Sequence, residues 1–342
     1  GTDERGRLVV EKKKKITAVI PCYNEEAVIE LFYKEICRAA GCLAARADFE
    51  FMFVNDGSSD RTLEKMKALR KKDKRVCFLS FSRNFGKEAA MYAGLEHSTG
   101  DYVAVIDADL QHPPALLIPM FDAVTMEGYD SAAARRITRT GEPKLRSFIS
   151  KGFYRVFAKL SQIEVVEGEV DYRLMSRAMV NAVLQMSERN RFTKGIFSWV
   201  GFQTKWIPYE NVERAAGKTK WSFWKLVKYS MEGIIGYSTM PLALVSLIGV
   251  LFCICAFIAI IYIVIKTILW GDPIGGWPSL ACMILGVSGI QLFSMGILGQ
   301  YLGKTYLEVK NRPIYVASLV ETNEAEEAAD GETESQKEKQ GL

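Results

Sequence analysis

From residue 16 to about residue 136 the chain alternates short apolar, β-branched runs with amphipathic stretches. The runs are ITAVIP (16–21), FEFMFVND (49–56), VCFLSFSR (76–83) and YVAVIDAD (102–109). Stretches such as EEAVIELFYKEICRAA between them place apolar residues at helical spacing. This is a βαβα order. Near-continuous apolar strands joined by crossover helices predict a mostly parallel α/β sheet covered on both faces, with its ligand crevice at the carboxyl ends of the strands. The runs lead into polar residues, Asn24-Glu25, Asn55-Asp56, Arg83-Asn84, and Asp107 with Asp109. Those ends are expected to converge on one site. A fifth strand, YDSAAA, leads into Arg135 and Arg136.

Beyond residue 239 the pattern changes. Met240 to Ile265 (26 residues) and Gly275 to Leu302 (28 residues) hold no charged side chain, and about 20 residues suffice to cross a bilayer core. The expected architecture is an α/β domain followed by interfacial amphipathic helices and two transmembrane helices. Its expected divisions are a basic N-terminus (1–14), a catalytic domain (15–217), a juxtamembrane helix (218–239), a membrane hairpin (240–303), a C-terminal segment (304–320) and an acidic, disordered tail (321–342). Two stretches that mix aromatic and basic residues, LRSFISKGFYRVFAKLSQ and KTKWSFWKLVKY, suit the headgroup level or, in the plainer reading, pack as amphipathic helices on the domain. Lys220, Lys225 and Lys228 precede the first apolar run and Lys304, Lys310 and Arg312 follow the second. Both termini are therefore expected on the cytoplasmic side of the inner membrane. Small residues in the second run, Gly286, Ser288, Gly289, Gly296 and Gly299, permit close helix packing and hence a homo-oligomer.

Composition narrows the classes. With 44 basic against 40 acidic residues and a net charge of +4, the chain lacks the excess of a nucleic-acid binder. Its seven cysteines contain no CxxC pair, which argues against a zinc or disulfide framework. The start, GTDERGRLVVEKKKK, has no apolar core of a signal peptide. No internal repeat is visible.

The candidate chemistry starts at Asp107-Ala108-Asp109. Two carboxylates at the end of a buried strand cost desolvation that a divalent cation offsets, and strand alternation would turn both to one side, toward a metal completed by diphosphate oxygens and water. Gln111 is a further candidate ligand, and His112, beside Pro113-Pro114, reads as a loop residue. In Val54 to Asp60, VNDGSSD, a glycine turn and a helix cap account for Gly57, Ser59 and Asp60, whereas Asp56 at the crevice is placed to bind a base or ribose. Pro21, Tyr23 and Glu25 hold the equivalent end of the first strand. The two loops would form opposite walls of a nucleoside pocket.

The motifs PCYNEE, VNDGSSDRT, SRNFGKEAAMYAGLEHSTGD, DADLQHPP, DYRLMSR, RNRFTKGIFSWVGF and GKTKWSFWKL, in this order, resemble the family 2 glycosyltransferases that act on polyprenyl phosphate. The likeness spans roughly residues 15 to 312 and lies in the bactoprenol glucosyltransferase, GtrB-like, branch, related to dolichyl-phosphate mannose synthase. It implies a GT-A fold, inverting transfer and Mg²⁺ or Mn²⁺ held through Asp107 and Asp109 with Gln111. It further implies a donor site bordered by Asp56 and by Arg83 to Lys87, closed by Lys218 and Lys220 unless these serve only membrane attraction. The acceptor phosphate is expected at Arg135, Arg136, Arg139, Arg146, Lys151 and Arg173, and Asp171 either orients substrate or pairs with Arg173. Two departures are a missing glycine before Asp171 and His112 where a carboxylate often stands. The expected reaction is transfer of glucose from UDP-glucose to undecaprenyl phosphate. A different donor (UDP-GlcNAc, UDP-galactose or GDP-mannose) and a non-catalytic scaffold or lipid-sugar flippase are the alternatives. A processive synthase is disfavoured by the absence of QxxRW.

Overall fold

The computed structural model describes residues 13–137, 166, 168–189, 191–210, 240–270 and 276–323. The first half realises the expected alternation. β1 (Lys14–Cys22), α1 (Ile29–Leu43), β2 (Ala47–Asn55), α2 (Thr62–Lys72), β3 (Val76–Phe81), α3 (Lys87–Glu96) and β4 (Tyr102–Val105) follow in order, and α4 (Leu117–Thr125) leads to β5 (Ser131–Arg136). After them come β6 (Glu169–Ser176), α5 (Arg177–Gln185), α6 (Thr193–Trp199) and β7 (Thr204–Tyr209). Two long helices, α7 (Met240–Trp270) and α8 (Trp277–Val309), precede β8 (Ala317–Glu321).

The eight strands form one sheet in the order β7-β5-β6-β4-β1-β2-β3-β8. Its centre, β4-β1-β2-β3, is parallel. The flanks are mixed: β6 runs antiparallel to β4 and β5, and β8 antiparallel to β3. The centre is buried on both faces, with Ile16, Phe53 and Phe78 fully enclosed on one and Val19, Met52 and Leu79 on the other; such side chains contribute roughly 1.5–3 kcal/mol each by leaving water. α1 is a helix because Ile29, Phe32, Ile36, Ala40 and Leu43 recur at its period and all are buried. α3 lies so close to β1 that a Cβ on Gly94 would meet Val19 Cγ1 at 2.2 Å.

Three expectations change. β4 ends at Val105, so Asp107 and Asp109 stand in the turn beyond it and strand alternation does not orient them. Leu110, next to them, has a positive φ of 58°, a conformation that costs a non-glycine residue about 1–2 kcal/mol. The segment 304–320, set apart from the sheet in the sequence reading, supplies most of β8, and residues 321–323, expected in a disordered tail, belong to the folded domain: Glu321 pairs with Phe78 and Asn323 Oδ1 accepts from Arg70 at 2.7 Å; the rest of that expected tail lies outside the described residues.

α7 and α8 are 31 and 33 residues long. Among the described residues, no helix is long and apolar enough to cross a membrane.

Candidate active site

A cleft of about 350 Å³ opens at the carboxyl ends of the central strands. Pro21, Tyr23 and Glu25 reach it from β1, Asp56 from β2, Lys87 from the start of α3, and Asp107, Ala108 and Asp109 from β4. All eight belong to the expected donor set. Arg83 and Gln111 do not line it, although Gln111 lies close, its amide donating to Asp109 Oδ1 at 3.1 Å. Lys218, Lys220, Arg139, Arg146 and Lys151 fall outside the described residues.

The two loops expected as opposite walls are laced to each other. Asn24, at a positive φ of 55°, accepts the Ser59 amide at 2.9 Å, and its own amide donates to Ser58 Oγ at 3.0 Å. The amides of Glu25 and Glu26 donate to Thr62 Oγ1 and Asp60 Oδ2. Asp56 is enclosed and organises the next loop: its carboxylate accepts the Phe85 amide at 2.6 Å, the Gly86 amide at 3.0 Å and Asn84 Nδ2 at 3.0 Å. Burial pushes its pKa above the ordinary value, against the pull of the Phe85 and Gly86 amides. Gly57 lets that loop approach; at φ 62°, a Cβ there would lie 2.3 Å from the Arg83 carbonyl carbon.

The cleft floor is an ion cluster. Lys87 Nζ lies 2.8 Å from Asp107 and 2.5 Å from Asp171, and Lys194 stands 3.9 Å from Asp171. Asp171 arrives there because β6 runs antiparallel to β4: Val105 pairs with Arg173, which brings residue 171 opposite residue 107. Burial opposes charge on both partners, yet the Asp107 and Asp171 carboxylates hold the Lys87 pKa above the lysine range, and Lys87 and Lys194 hold Asp171 below the carboxylate range. Both charges persist at neutral pH. The Lys87 side chain remains 42% exposed, so the cluster meets solvent and incoming ligand.

His112 lies in the loop after β4, as expected, but inside the fold. It is buried, its Nδ1 lies 2.7 Å from Tyr209 Oη, and burial lowers its pKa, which keeps it neutral near pH 7. The same burial raises Tyr209 to about 12. Arg135 and Arg136 occupy the exposed end of β5 as expected. Arg173 does not join them. It is 3% exposed, pairs with Glu169 at 2.7 Å and carries its guanidinium 4.4 Å over the Phe197 ring. The expected acceptor ligand is therefore an internal ion pair, and Asp171 pairs with lysines instead of with Arg173. Lys194 and Glu169 were overlooked in the sequence; the only signal was polarity within RNRFTKG and the residue two before Asp171.

The model of the family described as "Glycosyl transferase family 2" matches residues 17–184. The prophage bactoprenol glucosyl transferase homolog of Escherichia coli (strain K12) is 41% identical over 306 residues, covering 90% of this chain and 99% of that protein. The bactoprenol glucosyl transferase of Shigella phage SfX is 41% identical over 302 residues, covering 88% and 98%. A solved structure of glucosyl-3-phosphoglycerate synthase from Mycobacterium tuberculosis with Mn²⁺, UDP-glucose and phosphoglyceric acid aligns at a TM-score of 0.42 and 21% identity, over 65% of this chain and 78% of that one. A likeness of that degree carries no argument about ligands.

Proposed function

We infer the reaction from membership: this chain belongs to glycosyl transferase family 2 and is a glycosyltransferase. The proposed reaction is inverting transfer of glucose from UDP-glucose to undecaprenyl or another polyprenyl phosphate, giving a lipid-linked sugar for later cell-envelope glycosylation. The observation that carries it is the cleft lined by Asp107, Asp109 and Lys87, whose amine bridges the carboxylates of Asp107 and Asp171. Glucose and the lipid acceptor are taken from the names of relatives matched along nearly their whole length.

The residues fit a divalent cation. One cation, the Lys87 amine, is already drawn to Asp107, and Mg²⁺ is commonly held by one or two carboxylates plus substrate phosphates. Among the described residues no group of three His, Cys, Asp or Glu side chains could hold a metal ion, so Asp107 and Asp109 would hold Mg²⁺ or Mn²⁺ with the donor diphosphate and water, Gln111 alongside. An ion held by Asp107 and Asp109 would supply neutralisation of charge on the departing diphosphate.

The protein's own groups do the rest. Lys87 faces the same cleft and adds positive charge for the diphosphate, and its ion pair keeps Asp171 ionised and in place. A phosphate monoester, with a second pKa of about 6, is mostly dianionic at neutral pH. Its oxygen therefore attacks the anomeric carbon without a strong base, and the bond from that carbon to the diphosphate breaks with its electron pair leaving on UDP. Arg135 and Arg136 at the strand edge are the proposed holders of the acceptor phosphate, in line behind the sugar.

The proposed location is the cytoplasmic face of a membrane crossed by α7 and α8. Support comes from the amino-acid sequence of these helices, in which Met240 to Ile265 and Trp277 to Leu302 hold no charge, and from the lysines that flank them. The test is a donor panel: purified protein, undecaprenyl phosphate, Mg²⁺ or Mn²⁺, and labelled UDP-glucose, UDP-N-acetylglucosamine, UDP-galactose or GDP-mannose. Label in the lipid from UDP-glucose alone is expected. Transfer from a different donor replaces the sugar, and transfer from none removes the reading.

A further inference from the structure

We propose that the protein carries a second anion site, built from Arg83, Arg189 and Arg191, that takes a phosphate monoester dianion. A cleft of about 300 Å³ shares Asn84 with the first but none of its acidic residues; it is walled by these arginines with Phe85, Glu88 and Ile314. Arg83 follows β3, Arg189 and Arg191 lie between α5 and α6, and Ile314 belongs to the segment entering β8.

The guanidinium groups are held in position. That of Arg83 lies 4.1 Å over the Phe85 ring and donates to the Asn84 carbonyl at 3.0 Å. That of Arg191 lies 4.6 Å over the Tyr92 ring and donates to the Met186 carbonyl. Arg189 donates to the Pro313 carbonyl at 3.1 Å, which ties the cleft to the strand-leading segment. An aromatic face orients a guanidinium. Glu88 is the acidic wall residue, and it is engaged by the Thr193 amide at 3.1 Å and by the Thr193 hydroxyl. Glu88 and Ala89 stand in the first turn of α3, whose positive dipole end faces the cleft beside them.

Three guanidinium groups wall one cleft, and the planar fork of arginine matches phosphate oxygens in pairs. Phosphate monoesters carry a second charge above pH ~6. The chemistry is shared by a prenyl phosphate head group and by free phosphate. This inference stands on the cleft alone and holds whichever sugar is transferred.

The experiment titrates full-length protein in detergent with inorganic phosphate and, separately, with a short-chain prenyl phosphate, by calorimetry. Saturable binding is expected, weakened at least about tenfold in Arg83→Ala and in Arg189→Ala, since a hydrogen bond to a charged group is worth about one to two decades. Thermal unfolding checks that both variants fold, and Arg83→Lys should retain part of the affinity. Tighter prenyl phosphate binding, competed by inorganic phosphate, assigns the site to the lipid head group; equal affinities assign it to soluble phosphate. No saturable binding, or binding unchanged in the two alanine variants but lost in Arg135→Ala, overturns the proposal. Lipid labelling in the donor panel is read separately, so failure here leaves the transfer reading intact.

Discussion

Lys87→Met removes the amine that holds two carboxylates together while keeping the length of the side chain. Through the shared amine, oxygens of Asp107 and Asp171 lie no more than about 5.3 Å apart; without it they repel by about 3 kcal/mol at an effective dielectric of ~20. Lys194, 3.9 Å from Asp171, and the exposure of the cluster reduce that figure, so a destabilisation of about 1–2 kcal/mol at pH 7 is expected. The sign with pH follows from Asp171. Its pKa is depressed in the folded protein, so the stability it contributes is present above the unfolded carboxylate pKa of ~3.9 and is lost as pH falls toward the depressed value. In the variant one of the facing carboxylates protonates early, which relieves the repulsion. The gap between wild type and variant should therefore be widest near pH 7 and narrow toward pH 4, and Mg²⁺ or Mn²⁺ should raise the melting temperature of the variant more than that of wild type. Thermal unfolding of the full chain in detergent, followed by circular dichroism at several pH values with and without metal, measures both. A constant gap from pH 7 to pH 4 with equal metal effects would refute the account of the cluster.

Four further outcomes follow from the geometry. Asp109→Ala should lower transfer at least a hundredfold with unchanged membrane insertion, read by lipid labelling and membrane fractionation; substantial turnover would move the metal site elsewhere. Gly57→Ala should cost about 1–2 kcal/mol for its positive φ alone, with more from the contact at 2.3 Å with the Arg83 backbone, and should raise the KM for the nucleotide sugar; wild-type melting and KM would show that the 83–86 loop is not set by this approach. Arg173→Ala leaves Glu169 buried and without its partner, which typically costs about 3–5 kcal/mol, so it should impair folding and leave the lipid KM of any folded fraction unchanged. Arg135→Ala should do the reverse, raising the lipid KM with little loss of stability, and steady-state kinetics with unfolding curves separates the two.

Much of the cleft was legible in the sequence because its walls are local. An apolar run, a crossover helix and a polar residue at the carboxyl end recur for β1, β2 and β4, and that pattern alone brought Pro21, Tyr23, Glu25, Asp56, Asp107, Ala108 and Asp109 to one edge. The end of β4 is not legible to within a few residues, since YVAVIDAD stays apolar at Ile106, where the backbone has already left the ladder. The partner of each charge was not legible. Arg173 looked available for phosphate, and its burial against Phe197 and Glu169 depends on elements that the one-dimensional pattern leaves unpaired.

The sequence by itself determined the alternating strands and helices up to about residue 136 and which of those strand ends carry chemistry, because periodicity and apolar runs act over a few residues. Tertiary structure alone decided that β6 returns antiparallel beside β4, that the stretch after two long helices closes the sheet as β8, and that Lys87 meets Asp171 across 84 positions of chain. The physical reason is that strand partners and ion pairs are chosen by burial and distance in space, which the order of residues along the chain does not encode locally.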